Sequence, residues 1–301
     1  MAWPVLASEP VVLEFRLTAN GHMILPLSIA GAPPREAVID TGANHAFLDS
    51  GHVAAAGIEL PPPEAPKVNV LGIAGIQPYP ATTIPHASVE GVQFDQFPAA
   101  LHDSSSFPGP TNILPAIAFD HRILDFDFPE RRLTLYDGKP TPVKTIRSRL
   151  DIREINEIWF VRVKLNRRQG WAMIDTGSNV TYVNSAFADT AAPRHRAKAD
   201  AFLDGSTDGD ALARIARVNR LNLGDHSLSD FELLVADPPL FEHLGLDGEP
   251  AMVLGLDALR HFRMQVDQQQ GRLYLSVSGR RHQFHDGKIN PRDLRRFLGR
   301  R

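Results

Sequence analysis

The sequence predicts an all-β protein built from two homologous β-barrel-like lobes related by pseudo-twofold symmetry, with few short helices. Three observations lead to this prediction. First, 24 prolines and 22 glycines separate short apolar runs along the 301 residues, a pattern typical of many short strands joined by turns. Second, the first half of the sequence recurs in the second half. Third, helical periodicity is confined to two short segments.

The internal repeat organises the whole chain. Residues 23–50, MILPLSIAGAPPREAVIDTGANHAFLDS, align without a gap with residues 158–185, IWFVRVKLNRRQGWAMIDTGSNVTYVNS, at an offset of 135 positions. A second block, residues 113–136, aligns with residues 253–276 at an offset of 140. Self-similarity over such lengths indicates one structural unit present twice.

The repeat also predicts the domain boundaries. We expect an N-terminal lobe over residues 1–140, a C-terminal lobe over 141–277 and a basic tail over 278–301. The seam lies in YDGKPTPVKTIRSR, residues 136–149, which is rich in proline and charge, as linkers are. The tail carries eight arginines and lysines against two aspartates, a composition typical of a solvated or docking segment.

Each repeat begins with strands. Residues 11–17 and 22–29 alternate in hydrophobicity around Asn20-Gly21, which is a strong hairpin signal. Residues 36–40 form the next strand, which ends on an aspartate. The two predicted helices are GLDALRHF, residues 255–262, and PRDLRRFLG, residues 291–299.

The composition excludes several classes of function. A net charge of −3 and a pI near 6.5 give no electrostatic basis for binding nucleic acid. The absence of cysteine removes disulfides, thiolate nucleophiles and cysteine-ligated zinc. Residues 204–209 do not complete a calcium loop, because Ile215 stands where that loop needs glutamate. We therefore expect no metal.

The sequence shows no membrane segment and no leader. No run of eighteen apolar residues is present, so we expect no membrane span. The first ten residues, MAWPVLASEP, are too short and too broken by proline for a secretory signal. We expect a cytoplasmic protein if Met1 is the native start, and a periplasmic or secreted one if a leader has been removed.

The tripeptide Asp-Thr-Gly occurs once in each repeat, directly behind an apolar strand. A single copy is typical of an ordinary turn, in which Asp or Thr satisfies backbone amides. Two copies at matched positions predict that pseudo-twofold symmetry brings Asp40 and Asp175 face to face. Two adjacent carboxyl groups share one proton, so that one acts as general base for a water molecule and the other as general acid. Such a pair can hydrolyse an unactivated amide.

These motifs resemble those of the aspartic peptidases of the pepsin and retropepsin group. The resemblance covers residues 11–277 and rests on IDTGA at 39–43, IDTGS at 174–178 and MVLGLDAL at 252–259. Because the lobes are as short as retropepsin subunits, the chain looks like a retropepsin-like domain duplicated in one chain, of bacterial type. The resemblance implies a bilobal acid-protease fold. It also implies catalytic roles for Asp40 and Asp175, with a supporting shell of Thr41, Gly42, Thr176, Gly177 and Ser178.

The N-terminal lobe departs from the family pattern behind the active-site turn. Its counterpart of MVLGLDAL is NILPAIAF, residues 112–119, in which Pro115 replaces Gly255. Proline removes an N–H group and adds bulk where glycine lets the chain pass closely. We expect this replacement either to distort the N-terminal lobe or to be absorbed by a small shift of the backbone.

The two motifs also differ at their fourth position, where Ala43 corresponds to Ser178. In the pepsin pattern that the chain resembles, a serine hydroxyl bonds the carboxylate and favours its ionised form. We therefore predict that Asp175 has the lower pKa and that Asp40 holds more of the shared proton.

In this family a hairpin flap closes over the substrate. The matching segment is VLGIAGIQPY, residues 70–79, and an ordinary glycine-containing strand is the alternative interpretation. The predicted substrate-binding flap consists of Leu71, Gly72, Ile73, Ala74, Gly75 and Ile76. The equivalent segment of the C-terminal lobe, LDGSTDGDALARI at residues 203–215, is more polar, so we expect two unequal flaps.

The resemblance implies an aspartic endopeptidase that binds an extended peptide or protein segment between its lobes without a cofactor. We expect a monomer whose lobes form an internal pseudo-dimer. Only 39 residues precede Asp40, which leads us to expect no pepsin-style inhibitory pro-segment. Two alternatives stay open: a peptide-binding protein that has lost turnover, motivated by Pro115, and a processing protease dedicated to one partner protein. The natural substrate, the subsite preference and the pH optimum are not predicted.

Overall fold

The structure is a computed structural model that describes residues 9–103, 112–145, 147–191, 194–204 and 210–277, with only the backbone for 194–204 and 210. Strands dominate it, and its four described α-helices are short. The prediction of an all-β protein is therefore confirmed. The longest of these helices has seven residues, and none of the described helices has the length and hydropathy to cross a membrane.

The N-terminal repeat contains strands β1 to β11 and helix α1. The strands are β1 (Val11–Glu14), β2 (Arg16–Leu17), β3 (Met23–Ile29), β4 (Arg35–Asp40), β5 (Ala46–Asp49), β6 (Lys67–Gly72), β7 (Gly75–Val89), β8 (Val92–His102), β9 (Asn112–Pro115), β10 (Ile123–Asp127) and β11 (Arg132–Tyr136). The helices are α1 (Ser50–Ala55) and a 3-10 helix (Ala116–Ala118).

The C-terminal repeat contains strands β12 to β21 and three helices. The strands are β12 (Arg147–Ile155), β13 (Ile158–Leu165), β14 (Arg168–Ile174), β15 (Tyr182–Val183), β16 (Arg194–Asp204), β17 (Asp210–Leu223), β18 (His226–Val235), β19 (Ala251–Leu254), β20 (Arg263–Asp267) and β21 (Arg272–Ser276). The helices are α2 (Ser185–Ala191), α3 (Pro239–His243) and α4 (Leu256–Leu259).

The two repeats build the same barrel-like sheet. The strand order is β3-β4-β9-β5-β8-β7-β6 in the N-terminal lobe and β13-β14-β19-β15-β18-β17-β16 in the C-terminal lobe. Each sheet curls back on itself, because β3 also pairs with β7, and β13 also pairs with β17. The strand orders correspond element by element, so the sequence repeat is also a repeat of topology.

A six-stranded antiparallel segment joins the lobes. Its order is β1-β11-β10-β20-β21-β12, so that each lobe contributes three strands. At its centre β10 pairs with β20, and Asp125 lies opposite Gln265. These two residues are equivalent in the repeat at the offset of 140, and the pseudo-twofold axis therefore passes between them.

Two arginines reinforce this joint across the axis. Arg263 donates to both carboxylate oxygens of Asp125, at 2.8 and 2.5 Å. Arg122 donates to both oxygens of the buried Asp267, at 3.2 and 3.1 Å. Bidentate, charge-assisted hydrogen bonds of this kind are strong and directional. They fix the position of one lobe relative to the other, on which the geometry of a shared site depends.

Most of the predicted elements are present. The hairpin around Asn20-Gly21 is formed by β2 and β3, but β1 leaves it to pair with β11. Helix α4 lies inside the predicted segment 255–262, whereas α1, α2 and α3 are too short to give a periodic signal. The predicted helix at 291–299 and the basic tail lie outside the described residues. The exact domain boundaries stay predictions.

Candidate active site

The two aspartates lie at the ends of equivalent strands and meet between the lobes. Asp40 is the last residue of β4, whose final four residues are buried. Asp175 directly follows β14, and its N–H donates to the carbonyl of Leu254 at 3.1 Å. The two carboxyl groups lie close enough for each to change the pKa of the other. The structure therefore brings the sequence-predicted pair together between the lobes.

The threonines of the two motifs hold the opposing loops together reciprocally. The N–H of Thr41 donates to Oγ1 of Thr176, and the N–H of Thr176 donates to Oγ1 of Thr41, both at 3.0 Å. Each hydroxyl then donates across the lobe boundary, Thr41 to the carbonyl of Ile174 and Thr176 to that of Ile39, both at 2.7 Å. The four bonds are buried and symmetric, so they hold both aspartate loops in one rigid unit.

The motif glycines are required by close approach across the lobes. A Cβ at Gly42 would lie 2.8 Å from Cγ of Asp175 and 2.6 Å from Cε of Met173. A Cβ at Gly177 would overlap the carboxyl group of Asp40. Neither glycine has a positive φ, so close approach rather than a left-handed backbone requires glycine at both positions. Each glycine makes room for the aspartate of the other lobe.

Backbone N–H groups surround the carboxyl pair. Gly42 N donates to Oδ1 of Asp40 at 2.6 Å, whereas Oδ1 of Asp175 accepts from Gly177 N at 2.8 Å and from Ser178 N at 2.9 Å. Burial nevertheless raises the pKa of Asp40 above its ordinary value, and burial together with the charge of Asp40 raises the pKa of Asp175 well above it. The pair consequently retains one proton in conditions where isolated carboxyls have lost theirs.

The predicted role of the Ser178 hydroxyl is wrong. Its Oγ donates to the carbonyl of Val180 at 2.8 Å rather than to the carboxylate. Ser178 acts on the carboxylate through its backbone N–H, which donates to Oδ1 of Asp175. The difference between serine and alanine therefore does not give Asp175 the lower pKa.

One residue near the aspartates, Tyr182, was not identified from the sequence. Tyr182, fully buried, packs edge-on against Phe241 at a centroid distance of 5.8 Å. Burial and the charges of both aspartates raise the pKa of its phenol well above the ordinary value. Tyr182 therefore stays neutral beside the carboxyl pair. Sequence reasoning missed it because Phe47, not tyrosine, occupies the equivalent position in the first repeat.

An asparagine follows each motif and binds the hairpin of the opposite lobe. Asn44 Nδ2 donates to the carbonyl of Asn156, and Asn179 Nδ2 donates to that of Asn20, both at 3.2 Å. The sequence contained a signal for this pair, because Asp-Thr-Gly-x-Asn is common to both repeats. The two asparagines thus add a second pair of cross-lobe hydrogen bonds to those made by the threonines.

Behind the aspartate loop of the C-terminal lobe lies a polar group of three residues. Thr181 donates to Asp257 through its N–H at 3.0 Å and its hydroxyl at 2.6 Å. Oγ1 of Thr181 also accepts from Gly255 N at 3.1 Å. A Cβ at Gly255 would lie 2.5 Å from the carbonyl oxygen of Val180. Glycine is needed there because the chain passes directly behind the active-site loop.

The predicted flap segment is a hairpin that reaches the other lobe. Strands β6 and β7 pair antiparallel up to Gly72 and Gly75, with Ile73 and Ala74 in the turn. Ile73 is only 9% exposed, because it packs into an apolar cluster otherwise formed by the C-terminal lobe. A Cβ at Gly75 would lie 3.6 Å from Cβ of Pro239 in α3. The tip of the second predicted flap, residues 205–209, lies outside the described residues.

The site thus offers a carboxyl pair that holds one proton, within a buried network of backbone donors. Such a pair can activate a water molecule with one member and protonate a substrate oxygen with the other. Within the described ranges, no group of three or more histidine, aspartate or glutamate side chains is arranged to hold a metal ion.

Comparison with known proteins agrees with this geometry. A family model described as aspartyl protease matches the chain over residues 25–114 and 161–258, one stretch in each lobe. The two stretches together make up more than half of the chain. No curated protein matches the sequence.

Proposed function

The chain belongs to the aspartyl protease family, and from this premise we propose that it is an endopeptidase in which Asp40 and Asp175 activate one water molecule. The observation that carries the proposal is the approach of these two aspartates across the lobe boundary, where four reciprocal threonine hydrogen bonds join their loops. Thr41, Gly42, Thr176, Gly177 and Ser178 support the pair as described above.

In the proposed reaction the pair begins with a single proton. The ionised carboxyl removes a proton from water as the water oxygen attacks the carbonyl carbon of the substrate, and the protonated carboxyl gives its proton to the carbonyl oxygen. The resulting gem-diol collapses when a proton passes to the amide nitrogen and the C–N bond breaks. One carboxyl proton is regained for each one lost, so the cycle needs no external acid or base.

We propose that the substrate lies as an extended strand between the lobes, under the flap Leu71–Ile76. Main-chain hydrogen bonds to an extended peptide are a common mode of recognition by β proteins. The burial of Ile73 against the C-terminal lobe means that the flap must open before a peptide enters. Closure over the substrate would then exclude bulk water from the carboxyl pair.

The experiment that tests the proposal is cleavage-site profiling of the purified protein with a peptide library at several acidic pH values. Asp40→Asn and Asp175→Asn should each reduce cleavage by roughly 10³-fold or more, because each removes one member of the acid–base pair. Asp151→Asn, a change at an exposed carboxylate, is the matched control and should cleave like the wild type.

Binding of the hydroxyl-isostere inhibitor pepstatin separates the proposal from its alternatives. An endopeptidase should bind pepstatin and cleave library peptides. Pepstatin binding without any cleavage would contradict general endopeptidase activity. Cleavage of one co-expressed partner protein, lost in Asp40→Asn, would then favour a dedicated processing protease. No cleavage in either assay would favour a peptide-binding protein.

A further inference from the structure

One face of the C-terminal lobe carries an excess of positive charge. Strands β12 and β13 alternate between core and surface, and residues such as Leu150, Ile152 and Val163 pack against the core. The alternate side chains point outward. Five basic ones among them form what we call the basic face: Arg147, Arg149, Arg153, Arg162 and Lys164. The whole chain has a net charge of −3, so this excess is local.

Two aromatic rings hold three of these guanidinium groups in place. Cζ of Arg162 lies 3.8 Å from the ring centroid of Trp171, and Cζ of Arg153 lies 5.0 Å from the same centroid. On the other side of β12, Cζ of Arg147 lies 3.9 Å from the ring centroid of Tyr274. Cation–π contacts restrict the long arginine side chains. The charges of the basic face are therefore fixed before any partner arrives.

The basic face has no counterion within the described parts of the chain. The acidic side chain that points outward from β12, Asp151, lies 3.8 Å from Arg272 and is thereby paired. This ion pair has a counterpart in the N-terminal lobe, Glu14 with Arg132 at 4.0 Å, so it belongs to the repeat and not to the basic face. Nε of Arg147 is buried without a hydrogen-bond partner. An anionic partner would relieve the repulsion among these like charges.

The fold does not require this charge, because the N-terminal lobe lacks it at corresponding positions. Arg162 pairs with Trp171 between β13 and β14. The corresponding pair between β3 and β4 is Pro26 with Glu36. One repeat therefore places a cation and an aromatic ring where the other places a neutral residue and an acid.

The basic face borders the candidate active site. Trp171 and Met173 lie on the same side of β14, four and two residues before Asp175. Both pack with the apolar cluster that receives the flap residue Ile73. At about 3.3 Å per strand residue, Trp171 is ~13 Å from Asp175 along the strand. About four residues of an extended peptide span that distance.

We propose that the basic face is an exosite that binds an acidic segment of the protein substrate, beside the segment that is cleaved. Guanidinium groups bind carboxylates through paired, charge-assisted hydrogen bonds. Groups that are already held in place lose less entropy when they bind. The face would therefore select substrates by charge, at a distance from the bond that is broken.

Other polyanions fit this face less well. Peripheral membrane binding combines basic residues with exposed apolar anchors. In the described part of the chain, none of the large exposed hydrophobic side chains lies on β12, β13, β14 or β21. Proteins that bind single-stranded nucleic acid use aromatic rings to stack bases, whereas Trp171 and Tyr274 hold guanidinium groups.

The inference rests on the proposed function, so its first test measures binding in a protein that does not cleave. Fluorescence anisotropy of a labelled oligo-glutamate peptide gives its Kd for the Asp40→Asn protein. Adding Arg153→Gln and Arg162→Gln together should raise that Kd about tenfold, as expected when two exposed charge contacts are lost. Both arginines are exposed, so the fold tolerates their replacement.

The matched control removes the same charge from the other lobe. Arg16→Gln and Arg132→Gln together change two exposed arginines and should leave the Kd within about twofold of the parent value, because distant charges are screened by salt. Equal weakening by both double variants would overturn the inference. Tighter binding of phosphatidylserine vesicles or of single-stranded DNA through the same arginines would also overturn it, in favour of that partner.

A second test uses cleavage by the otherwise wild-type protein. Library substrates with glutamate or aspartate about four or more residues from the cleaved bond should be preferred. Arg153→Gln with Arg162→Gln should raise KM for these peptides about tenfold and leave kcat unchanged, because the contact is the same in the ground and transition states. Cleavage without any acidic preference would overturn the inference and leave the proposed function intact. Binding of oligo-glutamate through the basic face without cleavage of any peptide would support the binding surface and refute the proposed function.

Discussion

The two lobes support their active-site loops with different chemistry at equivalent positions. In the C-terminal lobe, Thr181, Gly255 and Asp257 form a hydrogen-bonded group behind the loop. The equivalent residues of the N-terminal lobe are Ala46, Pro115 and Ile117. None of these three side chains can hydrogen-bond, and proline has no N–H to satisfy. The two lobes thus have the same strand order. A polar group supports the active-site loop in the C-terminal lobe, and an apolar group supports it in the N-terminal lobe.

This comparison explains the proline that departs from the family pattern. In the C-terminal lobe the N–H of Gly255 is bound by the hydroxyl of Thr181. In the N-terminal lobe Ala46 provides no hydroxyl, so the missing N–H of Pro115 leaves no group unsatisfied. Strand β9 also stays in register with β4 as far as the pair Asp40 and Pro115. Pro115 departs from the family pattern in the sequence, but the residues around it in the fold accommodate it.

We expect the largest effect when the residue of one lobe is placed at the equivalent position of the other, with proline at 255 or glycine at 115. Gly255→Pro should lower the free energy of unfolding by about 4 kcal/mol, because it removes the bond to Thr181 and forces a ring against the carbonyl of Val180. The reverse change, Pro115→Gly, should lower it by less than about 1 kcal/mol. Urea denaturation of both variants measures the difference, and equal losses would contradict the comparison.

A second prediction concerns the ionisable member of the polar support. Burial raises the pKa of Asp257 from 3.8 to about 6, so the folded state keeps its proton between these values while the unfolded state loses it. This group therefore contributes stability below pH 4 that is lost as the pH rises through 6, by up to about 3 kcal/mol. Asp257→Asn should remove that part of the pH dependence.

Urea denaturation at pH 4 and pH 7 provides the measurement. The free energy of unfolding of the wild type should fall more between the two pH values than that of Asp257→Asn. The titration of Asp40 and Asp175 contributes equally to the pH dependence of both proteins, so it cancels in the comparison. Parallel pH profiles would show that the polar support does not titrate in this range.

The smallest effect is expected where the lobes are alike. Thr41→Val and Thr176→Val each remove two of the four reciprocal hydrogen bonds and should each cost roughly 2 kcal/mol of stability. Thr190→Val, at an exposed helical threonine, is the control and should cost little. Calorimetric or urea unfolding measures the loss of stability in each variant. Clearly different losses in Thr41→Val and Thr176→Val would contradict the expected symmetry of the two loops.

Sequence reasoning succeeded for the all-β fold and for the two equivalent strands that end at Asp40 and Asp175. The catalytic role of the aspartates and the flap role of the β6–β7 hairpin stay predictions. Sequence reasoning failed for Ser178, whose hydroxyl donates to the carbonyl of Val180, because no sequence pattern distinguishes this acceptor from the carboxylate of Asp175. It gave no reason for Gly42 and Gly177, because the group that excludes a side chain there belongs to the other lobe.

The sequence by itself determined that two equivalent aspartates follow two equivalent strands, because a duplicated pattern folds twice into the same local structure. Only the tertiary structure decided which groups surround them. The carbonyl of Asn20 binds the loop of Asp175 across the lobe boundary, and Tyr182 is buried within electrostatic reach of both aspartates, although neither residue shares a repeated pattern with these groups. Such contacts arise from the packing of one lobe against the other, and packing joins residues whose separation along the chain carries no signal.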